Sequence, residues 1–484
     1  MLLKRYYDEP LAQASFLIGD TVAREAVVVD PHRDVDLYLK AAETEHLRIV
    51  AVTETHIHAD YLSGTRELAR RAGATAYLSD EGDADWKYGW GHEPNVRLVR
   101  NGDAIRAGRV RLDVLWTPGH TPEHVSFVVT DEAASPEPVG VLTGDFVFAG
   151  DVGRPDLLER AANMQGTMER GARTLFASLA RFRDSLPGHL LLWPGHGPGS
   201  ACGKNLGGLP VTSLAYERLT NWGVKTTNEA EFVREVLAGQ PEPPVYFKHM
   251  KRMNKDGPAM HGEFREPPRL DDAGLPAALA RGDIVVDLSP TKAVLAGAIP
   301  GAFSIPVGTS FPTWAGWLLP YDQPISLLSN DGARALAAVR QLARIGLDDV
   351  RGWYGPGAFE AWPRTNGPLA DRRERAPAGG LHPAPGPGRG IRGARGGRAA
   401  GGVNARGALA RPRALGDSPL PFRRAADSSP SARPCPSATP SPPCSVARSE
   451  PIFRLPLAPN SKRWRTRPRR KSASSGCETS WAAA

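Results

Sequence analysis

Apolar and polar positions along the first 250 residues follow two alternating periods. Residues 26–29 form a continuous apolar run that ends on Asp30 and is broken by Pro31, which predicts a short buried strand. Residues 34–47 carry apolar positions at helical spacing, and 48–53 predict a second strand. A helix is predicted over 61–72, closed by Gly73. Strands follow at 110–116, 125–129 and 139–143, then a long helical pattern at 157–184 and a strand at 190–193. His and Asp recur just past the ends of these strands, where α/β scaffolds display chemistry.

Residues 251–269 are rich in Lys, Pro, Met and Gly and predict a linker. Strands at 283–288 and 325–328, with a helix over 332–345 closed by Gly346, predict a second, smaller α/β unit spanning 270–365. From 366 to 484 the apolar period is lost. Ala, Gly, Pro, Arg and Ser dominate, and such a segment cannot bury enough surface to offset its chain entropy, so a disordered tail is expected. The same composition is what GC-rich codons spell when read out of frame, a second origin for the tail.

Charge refines this division. The chain carries +8, but the tail holds 22 Lys and Arg against 6 Asp and Glu, so everything before it is near −8. The folded part therefore offers no general case for binding nucleic acid. No apolar run reaches the ~18 residues of a membrane span, and the first residues lack a secretory pattern. Cys202, Cys435, Cys444 and Cys477 make no disulfide framework in a chain of 484 residues, which predicts a reducing, cytoplasmic setting.

The chemistry concentrates in four segments. Thr55-His56-Ile57-His58-Ala59-Asp60-Tyr61 alternates two imidazoles and a carboxylate, which an extended backbone points to one side. Neutral imidazoles and carboxylates are ligands for zinc and ferrous iron. Taken alone, the stretch also reads as a polar loop with idle histidines. Thr117-Pro118-Gly119-His120, Thr143-Gly144-Asp145 and Trp193-Pro194-Gly195-His196 weigh against that. In each, a glycine permits a tight turn that aims the next side chain inward. Four strand-end sites supplying only His and Asp point to one metal centre.

At these residues the chain resembles the metallo-β-lactamase superfamily, whose signature is HxHxDH followed by separate His, Asp and His. The resemblance implies an αββα sandwich over residues 1–250 with the site at one edge of its two sheets. Tyr61 replaces the His of the DH pair, which argues for one metal rather than two. The finer resemblance is to persulfide dioxygenases fused to rhodanese modules. It is carried by Thr117 through His124, Gly144-Asp145-Phe146, Gly150 through Leu157, and Gly195 through Lys204. It implies one Fe(II) on His56, His120 and Asp145, with Zn(II) as the alternative. It also implies His58, Asp60, Tyr61 and His196 as supporting groups, and Arg154 steadying the anionic substrate unless it is tied up in an ion pair. Cys202 is expected near the substrate or as an inert buried thiol. The implied substrates are O2 and a persulfide of the glutathione or coenzyme A type, with no nucleic acid or membrane partner, and homo-oligomers occur among relatives. The enzyme-class alternative is a zinc thioester hydrolase of the glyoxalase II kind. Residues 270–365 resemble a rhodanese domain, in which Ser329 stands where the nucleophilic Cys would be.

Overall fold

Strand β2 (Gln13–Asp20) is buried along its whole length because it sits between two cores. Phe16 and Ile18 face one, Leu17 the other, as the two-residue period of a strand requires. Strand β3 (Glu25–Val29) repeats the arrangement, with Val27 and Val29 on one side and Ala26 and Val28 on the other. The computed structural model describes residues 1–157 and 166–370, all within one compact unit.

The first sheet runs in sequence order: β1 (Leu2–Asp8), β2, β3, β4 (Arg48–Thr53), β5 (Thr75–Ser79) and β6 (Val96–Val99). The second is ordered β12 (Thr212–Ser213), β11 (Leu191–Pro194), β10 (Gly140–Gly144), β9 (Val125–Asp131), β8 (Val110–Trp116) and β7 (Ala104–Ala107). Between them Phe16, Ile18 and Val27 meet Leu112, Phe127 and Leu142. Helices Asp36–Thr44 and Thr65–Ala72 cover the outer face of the first sheet, and helix Thr167–Ser185 covers that of the second. This is the expected αββα sandwich.

Register sets the site. β3 and β4 are parallel with Val29 opposite Thr53, and β10 and β11 are parallel with Gly144 opposite Pro194. Asp30 and the loop after Thr53 thus leave one sheet at the same end, as Asp145 and Gly195-His196 leave the other.

Two helical expectations shift. The helix predicted over 61–72 begins only at Thr65, because Tyr61 and Leu62 are drawn into a core shared with the second α/β unit and the Leu62 N–H donates to the Arg344 carbonyl at 2.7 Å. The pattern read over 157–184 is a helix from Thr167 to Ser185, and residues 158–165 lie outside the described residues. The stretch read as a linker starts inside a helix, Phe247–Asp256, whose Phe247, Met250 and Asn254 are buried.

The second unit is a four-stranded parallel sheet ordered β14 (Phe303–Ser304), β13 (Ile284–Asp287), β15 (Ile325–Leu328) and β16 (Val350–Tyr354). Ordered backbone contacts extend to Ala370, which forms an isolated antiparallel bridge with Ala298 through two backbone hydrogen bonds. The expected disordered or out-of-frame tail falls, from residue 371 on, outside the described residues. The two units meet through half-buried ion pairs as well as apolar contact. Arg33 reaches Asp348 at 2.9 Å, Arg340 reaches Asp34 at 2.6 Å, and Arg344 pairs with Asp8.

Asn254 ties helix Phe247–Asp256 to the metal-site loop. Its Nδ2 donates to the carbonyls of His58 and Tyr61, both at 2.8 Å, and its Oδ1 accepts from the Ser63 N–H at 2.8 Å. Asn254→Leu keeps the volume but strands three buried backbone groups. It is expected to lower unfolding stability by on the order of 4 kcal/mol, read by urea denaturation.

Candidate metal centre

His56, His120 and Asp145 arrive from three separate strand ends, and their ligand atoms lie within 4.8 Å of one another. His120 Nε2 is 3.5 Å and His56 Nε2 3.9 Å from Asp145 Oδ2. Those separations are too long for good hydrogen bonds. They are near the spacing of donors around a shared cation whose bonds are about 2.0–2.2 Å. His56 Nε2 and both carboxylate oxygens of Asp145 are buried with no hydrogen-bond partner, which a protein tolerates where an ion satisfies them.

The nitrogens facing away are fixed. His120 Nδ1 donates to the Arg154 carbonyl at 2.9 Å, and His56 Nδ1 meets Thr55 Oγ1 at 3.0 Å. Thr55 Oγ1 in turn lies 3.1 and 3.2 Å from the two Asp30 oxygens. A hydroxyl donating to that carboxylate leaves its lone pair for His56 Nδ1–H, so Nε2 keeps the lone pair a metal needs. Burial, then the neighbouring histidines, hold His56 far below its ordinary pKa, and burial also lowers His120. Both are neutral and ready to ligate at neutral pH.

Backbone approach is tight here. Gly119 and Gly144 adopt φ of +148° and +50°, as the inward turns require. A Cβ on Gly153 would fall 1.8 Å from the Asp145 carbonyl oxygen. Gly195 turns with no positive φ, so the expectation of one glycine device at all three sites holds for two of them.

A second group lies across Asp145. Asp60, His196 and Cys202 also place ligand atoms within 4.8 Å of one another. His196 Nε2 is 3.2 Å from Asp60 and 3.4 Å from Asp145, while its Nδ1 donates to the Ala12 carbonyl at 2.9 Å. Burial opposes the His196 cation, but Asp145 and Asp60 outweigh it and raise its pKa. Burial and the same carboxylates push the Cys202 thiol well above its usual range, so Cys202 is a neutral thiol facing the site.

His58 turns its Nε2 to Asp30 Oδ1 at 3.1 Å, and it lies outside both groups. Burial lowers its pKa, yet the bond to Asp30 and the charges of Asp30, Asp60 and Glu54 lift it to about 9. Tyr61 donates to the Asp30 carbonyl at 3.2 Å and packs in the core shared with the second unit. The site has exchanged a family histidine for a docking residue.

Arg154 requires a correction as a substrate-steadying group. Its guanidinium is fully buried and makes a two-pronged pair with Asp156 at 2.7 and 2.8 Å, and its remaining arm donates to the Ala201 carbonyl. A partner two residues away captures it, and its contribution to the site is the carbonyl that orients His120.

The sequence reading assigned no role to Asp30, Thr55, Glu123 or His124. His124 Nε2 accepts from the Asp145 N–H at 3.1 Å, and Glu123 accepts from the Ile57 N–H at 2.8 Å. The signal for Asp30 was present as a buried strand ending on an acid.

Burial raises Glu123 from 4.5 to about 7. Its proton is held more tightly in the folded chain, so the stability from the neutral acid is complete below about pH 4.5 and lost as pH rises through 7. Glu123→Gln is expected to remove that slope. Urea denaturation at about pH 5 and about pH 8 should show the parent losing on the order of 3 kcal/mol more than the variant.

The profile of the metallo-β-lactamase superfamily matches residues 8–196. A mitochondrial persulfide dioxygenase of Mus musculus is 30% identical over 229 residues, covering 46% of this chain and 75% of that protein. A hydroxyacylglutathione hydrolase of Synechococcus is 34% identical over 140 residues, 29% of this chain and 52% of that one. The crystal structure of a metallo-β-lactamase from Staphylococcus aureus subsp. aureus COL aligns with a TM-score of 0.65 and 38% identity, over 74% of this chain and 99% of that one. The chain belongs to the metallo-β-lactamase superfamily.

Proposed function

We propose that this chain uses one metal ion on His56, His120 and Asp145 to oxidise a low-molecular-weight persulfide with O2. The balanced reaction is RSS⁻ + O2 + H2O → RSH + SO3²⁻ + H⁺. The outer sulfur gives up four electrons, which O2 accepts. The observation that carries the reading is the donor set itself: two neutral imidazoles and one carboxylate converge, with His56 Nε2 and both Asp145 oxygens buried and unpartnered. Two His and one carboxylate suit Fe(II), which when bound supplies open positions for both sulfur and O2. The likeness to persulfide dioxygenases supports the same choice.

The chain's own groups then have defined tasks. The Arg154 carbonyl and Thr55 hold the two imidazoles in the ligating tautomer. His196, between Asp60 and Asp145, can hold the released proton at Nε2. The 270–370 unit reads as a rhodanese-like module without its nucleophile, since the Ser329 hydroxyl donates to the Asp331 carbonyl at 2.8 Å and offers no sulfur to accept a sulfane atom.

A second reading, a two-metal thioester hydrolase, is favoured by Asp60, His196 and Cys202 lying beside Asp145, and by the hydroxyacylglutathione hydrolase relative. Purified protein loaded with iron or zinc separates the two in an oxygen electrode. The proposal expects iron-dependent O2 uptake with a persulfide and one sulfite per O2. Cleavage of a glutathione thioester with no O2 uptake under either metal would replace it with the hydrolase.

A further inference from the structure

A cavity of about 410 Å³ is lined both by His120 and by helix Phe247–Asp256. On that helix Lys248, Lys251, Arg252 and Lys255 all line the cavity. They stand at positions i, i+3, i+4 and i+7, which fall on one helical face, while Phe247, Met250 and Asn254 are buried. The stripe from Lys248 to Lys255 extends about 10 Å along the axis.

Four neighbouring cations repel one another across every three- and four-residue pair, a strain that a bound anion would relieve. Among the described residues none of the four makes an ion pair, although most of the chain's other ion pairs engage an arginine. Lys251 lies 3.9 Å over the Trp86 ring. Asp85 and Asp256 also line the cavity and offset two of the four charges, leaving an excess of two. The folded part as a whole is acidic, so this stripe is a local exception.

We infer that the thiol carrier is a phosphorylated one of the coenzyme A class, its phosphates on the stripe of Lys248, Arg252 and Lys255 and its thiol arm directed toward His120. The inference rests on the persulfide reading of the same site, which makes the ligand a small thiol. Charge decides between carriers. Cysteine is neutral beyond its sulfur and glutathione carries one net negative charge there, whereas a phosphorylated nucleotide carrier supplies several. Ile57, Ala59, Leu157 and Phe247 give the same cavity apolar walls suited to an uncharged arm.

The test uses the metal-loaded full chain and two free thiols with the same arm, coenzyme A and pantetheine, which lacks the nucleotide and all three phosphate groups. Calorimetry at about 50 mM salt should give coenzyme A at least tenfold tighter binding, with the gap closing at about 500 mM. Arg252→Gln with Lys255→Gln, with thermal unfolding as the folding control, should narrow the gap to under threefold. Equal binding of the two thiols, or a gap unmoved by salt and by the double variant, overturns the inference. O2 uptake with coenzyme A persulfide and cysteine persulfide is a separate arm. Phosphate-dependent binding without O2 uptake from either persulfide would sink the dioxygenase reading and leave the carrier assignment standing.

Discussion

His120→Ala is expected to abolish metal retention while leaving the sandwich folded. The substitution removes one of only two imidazole nitrogens in the triad and leaves His56 and Asp145 as an incomplete pair. Removing groups behind a ligand already costs about 10- to 100-fold in metal affinity, so removing the ligand itself should cost more than about 100-fold. The metal content of purified protein should fall from roughly one equivalent to less than about a tenth, with persulfide-dependent O2 uptake lost in parallel. The fold cost is small by comparison. The Arg154 carbonyl loses its donor, worth about 1–2 kcal/mol, and β8 and β9 keep their pairing. Elemental analysis beside a thermal melt separates the two effects. Full metal occupancy in the variant would show that the ion is held elsewhere.

Asp30→Asn should be nearly as damaging although Asp30 touches no ligand atom. Asp30 adopts φ of +53°, which Asn tolerates, so the backbone has no reason to move. Its carboxylate accepts from the Thr55 N–H at 2.6 Å, the Thr55 hydroxyl and His58. An amide keeps one acceptor oxygen and turns an N–H toward the Thr55 hydroxyl. That hydroxyl must then donate to His56 Nδ1, which moves the imidazole proton to Nε2 and blocks ligation. Metal affinity is expected to fall by about 10- to 100-fold, read by competition with a chromophoric chelator below the variant's melting temperature, which itself drops because His58 loses its buried carboxylate partner. An affinity equal to the parent's would mean that Asp30 does not set the His56 tautomer.

The residues that bind were more legible in the sequence than the residues that orient them. His56, His120 and Asp145 each follow a strand of clear period, two of them behind a positive-φ glycine, so local pattern alone brought them forward. Asn254 reaches His58 across 196 residues, a contact that no local period encodes. Tyr61 reads in the sequence as a damaged ligand position because the core cluster it joins is built largely from residues far along the chain, Tyr246 and Leu342 among its members. For Arg154 the resemblance leaves a substrate role and an ion pair both open, and only the folded geometry decides, with Asp156 taking both arms of the guanidinium. The basic stripe was hidden differently. Net charge averaged it into an acidic domain, and the Lys-rich stretch from 251 looked like a linker, although the helical spacing of the four cations was readable.

Anomalous diffraction from crystals of iron-loaded protein, collected on both sides of the iron edge, bears most directly on the metal centre. The prediction is a single peak about 2.0–2.2 Å from His56 Nε2, His120 Nε2 and one Asp145 oxygen. A peak elsewhere, or two comparable peaks on either side of Asp145 with the second among Asp60, His196 and Cys202, would contradict the one-metal account.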